Sequence, residues 1–488
     1  MRQVTGIAGP SEIAVRAGRE AVEAGGNAVD AAVAATLAAL STEIGIVGLD
    51  AGGYVTLWSP GEAPVVIDGG IAMPGIGQPP ERFGAAGRPV TLDYGGGMQT
   101  IVGYGSVGVG GAVAALGEAA SSHAALDWAE LVAPARRHVA AGYPLGRASH
   151  TWLKYSHRHI FGWQPESHAV IHDPAGKLLP PGSEIRIPGL ADTLEELGRA
   201  GPEGFYEGHL GEQIAACVQA GGGLLGQADR NAYRALRREP LLCRLDGWSI
   251  AAPPPPSMGG AALAAMLEQM RGMLGTEWSP EAVAALATTQ RDVFDESLRR
   301  QGSRSSSTVH ISALDTDGLG CSVTASSGYG SGILVPGTGI WLNNCLGELE
   351  LNPLGFHGLA PGERIASNMS PVVARSDAGA VLSVGSPGAE RITTALLQVL
   401  LNLICLGSSL EEALQAPRLH VERANGRWQA AVEPGLPLEA LPIGHRLFDG
   451  LSMFFGGAGA VLRQADGTLV AAADPRRQGA ALVVGASD

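Results

Sequence analysis

Hydrophobic and polar positions follow two different periods along this chain, and the change falls near residue 308. Residues 28–40 are alanine-rich with helical character and give out at Ser41-Thr42. Residues 191–199 and 212–220 read as amphipathic helices, and Gly221-Gly222-Gly223 stops the second, as glycine commonly does at a helix end. Residues 261–273 read as a helix after a proline run, 393–406 as a buried helix and 410–416 as a short one. Strand character, by alternation and β-branched content, marks 54–58, 65–67, 310–314, 321–325 and 381–384. Helices therefore dominate the first part and strands the region after Thr308. No low-complexity linker separates the two regions, and no period of 20–50 residues indicates repeats.

Composition narrows the picture. At 488 residues the chain exceeds the usual size of one compact domain, although α/β proteins run this long as a single unit. With 71 glycines, 45% hydrophobic residues and 16% charged residues, it describes a tightly turned, well-buried protein, not a disordered one. A net charge of -14 argues against nucleic acid as a partner, because neutralising phosphates needs a basic surface. The five cysteines, Cys217, Cys243, Cys321, Cys345 and Cys405, are scattered without metal-ligand or disulfide-framework spacing. They read as reduced thiols of a cytoplasmic protein, with no metal and no cofactor expected. The stretch Met1-Arg2-Gln3-Val4-Thr5-Gly6 lacks a signal-peptide core. The longest apolar run, 395–406, is interrupted by Gln398 and Asn402 and is too short to span a bilayer, so no membrane partner is expected.

Chemistry concentrates in Ser305-Ser306-Ser307-Thr308-Val309-His310-Ile311, where small hydroxyl residues run into a strand. A threonine at that junction has two uses. Its hydroxyl can attack the preceding carbonyl, that of Ser307, and split the chain. Once it is an N-terminus, its α-amine, with a reference pKa of roughly 7.7–8.0, can activate the same hydroxyl. Taken alone the segment also reads as a serine-rich loop entering a strand.

The chain beyond Thr308 decides between these readings. Its motifs are Thr308-Val309-His310, Asp315-Thr316-Asp317-Gly318, Gly330-Ser331-Gly332, Val335-Pro336-Gly337-Thr338-Gly339, Leu342-Asn343-Asn344, Ser367-Asn368-Met369-Ser370-Pro371, Gly385-Ser386-Pro387-Gly388-Ala389 and Ala416-Pro417-Arg418-Leu419-His420. In that order and spacing they resemble the small subunit of the γ-glutamyltranspeptidase family of N-terminal-nucleophile hydrolases. Upstream, Gly25-Gly26-Asn27-Ala28-Val29-Asp30, Gly204-Phe205-Tyr206-Glu207-Gly208 and Pro253-Pro254-Pro255-Pro256-Ser257-Met258-Gly259-Gly260 resemble family segments too. The resemblance implies an αββα four-layer sandwich. It is made jointly by residues 1–307 and 308–488 after cleavage between Ser307 and Thr308.

The resemblance also assigns roles. Thr308 matches the nucleophile. Gly388 and Ala389 match a glycine pair whose backbone N–H groups stabilise an oxyanion, and Ala389 narrows the pocket without removing a donor. Ser326 falls near a second hydroxyl that supports the nucleophile. His310 is expected as a structural strand residue, and Asn344 as a brace for the loop facing Thr308.

Substrate recognition departs from the family. Gly70, in Ile67-Asp68-Gly69-Gly70, stands where relatives carry an arginine for the substrate carboxylate. Ser367 and Asn368 replace two serines, while Cys345 and Glu348 replace the residues that hold the substrate ammonium. With the clamp gone, glutathione is not the expected substrate. The leading expectation is a self-processing threonine hydrolase or acyltransferase for a small acyl or amino-acid-derived compound. Departures of this kind occur in family members such as β-lactam side-chain acylases and antibiotic-pathway homologues. A carbon–carbon hydrolase removing an oxalyl-type group, a true γ-glutamyl enzyme and an uncleaved binding relative stay open, as does a homo-oligomer.

Overall fold

The computed structural model describes residues 4–93, 97–300, 308–352, 354–424 and 426–485. The serine run that ends at Ser307 lies outside the described residues.

Two antiparallel sheets stack face to face between layers of helix. The first has seven strands in the order Ala480–Gly485, Val4–Gly9, Thr308–Asp315, Gly320–Ser326, Gly52–Trp58, Val65–Gly69 and Leu236–Arg238. The second has six, in the order Leu469–Ala473, Gly459–Arg463, Val381–Gly385, Val372–Ser376, Trp248–Ala252 and Leu241–Leu245. Helices Glu12–Glu23 and Ala28–Thr42 cover the first sheet, and Met258–Met270, Pro280–Arg300 and Arg391–Leu400 cover the second. This is the αββα layering expected from the sequence. Among the described residues no helix is long and apolar enough to cross a membrane, and all five cysteines are free thiols.

The strands Thr308–Asp315 and Gly320–Ser326 are buried at every position, because one face meets helices and the other meets the second sheet. Small residues let the sheets approach. A Cβ on Gly6 would lie 2.4 Å from Val461 Cγ1, and one on Gly385 would lie 2.2 Å from the His310 ring. Serine hydroxyls bridge the gap: Ser322 donates to the Val384 carbonyl at 3.1 Å, Ser383 to Cys321 at 3.0 Å and Ser312 to Gly459 at 3.1 Å. Since the Ser312 proton goes to Gly459, its oxygen accepts from His310 Nε2 at 2.8 Å. His310 Nδ1 then accepts from the Thr324 hydroxyl at 2.9 Å. Burial pushes the imidazole down to about 3, so it is neutral and serves the sheet interface.

Several elements differ from their sequence expectations for identifiable reasons. The helix expected at 261–273 is Met258–Met270, because the Ser257 hydroxyl caps it by accepting from Gly260 N at 3.2 Å. The one at 191–199 runs over Leu190–Glu207, with a break at Gly201, φ +77°, followed by Pro202. The single helix expected at 393–406 is α-helical over Arg391–Leu400 and a π-turn over Leu401–Cys405. Its two polar interruptions clip neighbours: Gln398 exchanges two hydrogen bonds with Leu419, and Asn402 accepts from Trp278 Nε1.

Candidate active site

Register places Thr308 at the head of a row. It opens its strand directly opposite Ser326, the last residue of the next strand. Ser326 in turn faces Gly52. The pair Gly53–Gly69 brings Gly70 level with Gly52. Thr308, Ser326, Gly52 and Gly70 thus cross four strands at one end of the first sheet. At about 4.8 Å per strand, Gly70 lies about 14 Å from Thr308. Thr308 and Ser326 are both buried.

The second sheet presents its motifs at one of its own ends. Val372 pairs with Val384, so 367–371 lead into one strand beside the point where 385–389 leave the other. Gly388 has φ +129°, and a Cβ there would lie 2.8 Å from Gly456 Cα, so only glycine fits. Ala389 is fully buried with φ +66°, a left-handed conformation that costs a residue with a Cβ about 1–2 kcal/mol. The helix Arg391–Leu400 starts directly beyond it. Pro387 and Thr308 line the same small cavity, which joins this turn to Thr308.

Glu348 and Asn344 wrap the turn after Ser326. The Ser326 hydroxyl accepts from Gly328 N at 3.2 Å. A Cβ on Gly328, φ +65°, would lie 2.3 Å from Asn344 Oδ1 and 2.9 Å from Glu348 Oε2. Asn344 Oδ1 accepts from Tyr329 N at 2.6 Å, while its Nδ2 donates to Thr100 Oγ1 and the Ile101 carbonyl. Asn343 is spent on Gly108 and Asp50. Glu348 is 1% exposed. Cys345 is buried with Ile71, Met73 and Leu346, and burial together with Glu348 pushes its thiol well up.

The remaining recognition positions sit farther along. The Ser367 hydroxyl accepts from Met369 N at 3.1 Å, and its backbone pairs with Pro256 and Met258. Asn368 Nδ2 is buried and has no hydrogen-bond partner among the described residues. At Gly70 the backbone N–H donates to Asp68 Oδ1 at 2.8 Å and the carbonyl accepts from the Tyr233 hydroxyl at 2.5 Å. A Cβ on Gly70 would lie 2.9 Å from Asp68 Oδ1 and 3.0 Å from the Tyr54 hydroxyl. Two cations stand beside it: Arg238 binds Asp68 at 2.6 Å, and Arg364 lies 3.8 Å from Asp68 Oδ1 and stacks on Tyr233 at 4.1 Å. Tyr54 and Asp68 fill the space that an arginine at residue 70 would enter.

Two residues that sequence reasoning passed over line the Thr308 cavity: Glu43 and Arg477. Burial raises the Glu43 carboxyl, which accepts from the Ser149 hydroxyl at 3.3 Å. A lone carboxylate inside the apolar stretch 31–49 was the available signal for Glu43. Arg477, just past Asp474-Pro475, carried none.

The sequence profile described as Gamma-glutamyltranspeptidase matches residues 14–297 and 281–484. The chain belongs to the γ-glutamyltranspeptidase family. An Acylase ACY 1 proenzyme from Pseudomonas sp. strain V22 is 28% identical over 357 residues, 64% of this chain and 63% of that one, so the match spans less than two thirds of that relative. A glutathione hydrolase proenzyme from Pseudomonas aeruginosa is 29% identical over 437 residues, 78% of this chain and 75% of that one. The crystal structure of a cephalosporin acylase from Bacillus halodurans aligns over 99% of this chain and 96% of that one, with TM-score 0.82 at 24% identity, and so shares the fold. As a γ-glutamyltranspeptidase-family member, the protein is an enzyme of the N-terminal-nucleophile hydrolase and transferase type.

Proposed function

We propose that the chain cuts itself between Ser307 and Thr308, and that Thr308 then serves as the nucleophile of a hydrolase or acyltransferase for a small acyl compound other than glutathione. The observation that carries this reading is the row from Thr308 through Ser326 and Gly52 to Gly70, where residue 70 offers no side chain and the neighbouring Arg238 and Arg364 face Asp68. The freed α-amine takes the hydroxyl proton, and Oγ attacks the acyl carbonyl. The backbone N–H groups of Gly388 and Ala389 serve as donors to the oxyanion, and Ser326 supports the nucleophile. The amine leaves with the proton, and water or a second amine releases the acyl group from Thr308. Relatives named as acylases support an amide-linked acyl group.

The two pieces, 1–307 and 308–488, stay together after the cut. Strand Val4–Gly9 from the first lies between Thr308–Asp315 and Ala480–Gly485 of the second, hydrogen-bonded to both. On a denaturing gel the 49.9-kDa chain is expected as two bands, and Thr308→Ala as one band without turnover. A Thr308→Ala protein that is still cut at this bond, or still active, overturns the assignment.

A further inference from the structure

The backbone nitrogen of Thr308 has a direction that the strand pairing fixes. Along a strand of an antiparallel sheet, successive N–H groups point to opposite sides. Thr316 N donates to the Val4 carbonyl at 2.9 Å, and Asp315 N donates to Leu319 on the other side at 3.2 Å. Counting back by twos from Thr316, the nitrogen of Thr308 points toward strand Val4–Gly9 and away from Ser326. The last pair between those two strands is Ala8 with Ser312, and beyond Gly9 the chain turns off into helix Glu12–Glu23. Beside Thr308 on this side lies a cavity of about 30 Å³, lined among others by Gly9, Pro10 and Glu43. It has room for about two waters.

We propose that Glu43 is the charge and proton partner of the α-amine freed at Thr308, joined to it across this cavity, and that it sets the pH at which Thr308 becomes active. The inference rests on the reading that the chain is cut before Thr308. Three observations carry it.

First, cleavage turns the Thr308 nitrogen into an amine on the side where the cavity lies. Second, Glu43 is the one carboxyl among the described residues that line the cavity, and both groups are buried, Glu43 5% and Thr308 2% exposed. A buried ammonium needs an opposite charge, and Glu43 is the group placed to supply it. Third, the partners of Glu43 among the described residues are hydroxyls. Ser149 donates to it at 3.3 Å and Ser11 is the second, yet burial outweighs both and raises the carboxyl. The other titratable groups around it are Tyr143, His310 and Arg477. Tyr143 donates to the Ser41 carbonyl, His310 is neutral, and Arg477 extends toward the Met453 carbonyl and the Gly388 turn.

Burial favours the uncharged form of a carboxyl and of an amine alike. One proton therefore passes from the Thr308 ammonium to the Glu43 carboxylate, directly or through a water. An N–H bond breaks, an O–H bond forms, and the pair stays net neutral. The amine left behind is the base that takes the Thr308 hydroxyl proton.

Carbon-13 NMR of the processed protein, labelled in threonine and glutamate and titrated from about pH 4 to 10, tests this. The residue-308 signal is the one absent in Thr308→Ser, and the Glu43 carboxyl signal is the one absent in Glu43→Asp. Glu43→Gln keeps an acceptor for Ser149 and removes the charge. It is expected to lower the titration midpoint of the amine by at least about one pH unit, a ten-fold loss of proton affinity. The pairing is read from the other side in uncut Thr308→Ala, where no ammonium faces the carboxyl. There Glu43 is expected to titrate at least about one unit above its midpoint in the processed wild type.

An amine midpoint that Glu43→Gln leaves unchanged overturns the proposal. If Glu43→Gln fails to fold, the wild type and Thr308→Ala decide, and a carboxyl that titrates alike in both overturns it. A wild type that stays in one piece overturns the nucleophile reading and this inference with it. A cut chain with unmoved midpoints overturns this inference alone.

Discussion

The two ends of the Thr308–Gly70 row are built from the same sheet, yet they depend on the chain in different ways. At the Thr308 end the important groups are backbone amides, the Thr308 and Ser326 hydroxyls and glycines forced by contact, such as Gly388 against Gly456 and Gly328 against Asn344. At the Gly70 end they are side chains: Arg238 and Arg364 face Asp68, Tyr233 donates to the Gly70 carbonyl, and Tyr54 is buried beside them. Machinery made of backbone geometry survives wide sequence change because any residue other than proline carries an N–H. Recognition made of side chains changes with one substitution. On the proposed reading, reaction type and substrate are thus separable.

The largest expected effect breaks the comparison at its recognition end. Without a guanidinium at residue 70, turnover of γ-glutamyl-4-nitroanilide is expected to fall hundreds-fold below that of the preferred acyl-anilide. Losing a buried charge partner costs on the order of 3–5 kcal/mol. Gly70→Arg is not expected to restore it, because Tyr54 and Asp68 occupy the space the side chain needs. Steady-state kcat/KM for both anilides checks this. Efficient γ-glutamyl turnover by the wild type would show that another cation reaches the row.

The second effect tests the sheet interface that holds the Thr308 end. His310 has a folded pKa of about 3 against an unfolded value of 6.5, so the unfolded chain binds the extra proton first. Stability is therefore complete above 6.5 and is lost as pH falls toward 3, by about 2–3 kcal/mol at pH 4.5. Asp50 runs the other way. Burial raises its carboxyl to about 6, so its contribution is present at low pH and declines as pH rises from about 4 through 6. The two offset each other in the wild type. The difference between wild type and His310→Gln isolates the histidine, and is expected to grow in favour of the wild type from pH 4.5 to 7 in urea unfolding. A difference independent of pH would mean that His310 titrates normally.

Much of the architecture was legible because its motifs are glycine and proline punctuation with steric causes. The order Gly330, Gly332, Gly388 survives as positive-φ turns, and Ser257 caps its helix where the proline run ends. What stayed hidden depends on distant pairing. Burial of both faces of Thr308–Asp315 leaves no alternation to say which side meets the second sheet. Glu43 and Arg477 meet at Thr308 from positions 434 residues apart in the chain (477 − 43), a proximity that no local pattern encodes. Nor could composition show that Tyr54 fills the space beside Gly70; the register Gly53–Gly69 puts it there.

A ten-fold effect is expected at Glu348, which lies between the two ends. Its carboxylate is buried against the Gly328 turn, one step from Ser326, in a place where an unsolvated charge needs a partner in the substrate or the loop. Glu348→Gln keeps the shape and removes the charge. It is expected to lower kcat/KM by about ten-fold, equivalent to about 1.4 kcal/mol, while self-cleavage proceeds. Unchanged kinetics would assign Glu348 to the loop alone, and loss of cleavage would move it to the Thr308 end of the comparison.

The smallest effect concerns Ala389, the one residue at the Thr308 end whose side chain opposes its backbone. Ala389→Gly relieves a left-handed conformation worth about 1–2 kcal/mol. The glycine also gives the unfolded chain more freedom, which costs about 0.5–1 kcal/mol. A buried methyl is lost as well, worth about 0.8 kcal/mol. These terms nearly cancel, so the expected change in unfolding free energy is under about 1 kcal/mol in either direction. The backbone N–H remains, so kcat is expected within about two-fold of the wild type, with any change confined to KM for bulkier acyl groups that the methyl had excluded. A large fall in kcat with unaltered stability would show that the strained conformation itself aims the donor, which makes one side chain as important to the machinery as to recognition and removes the distinction between the two ends.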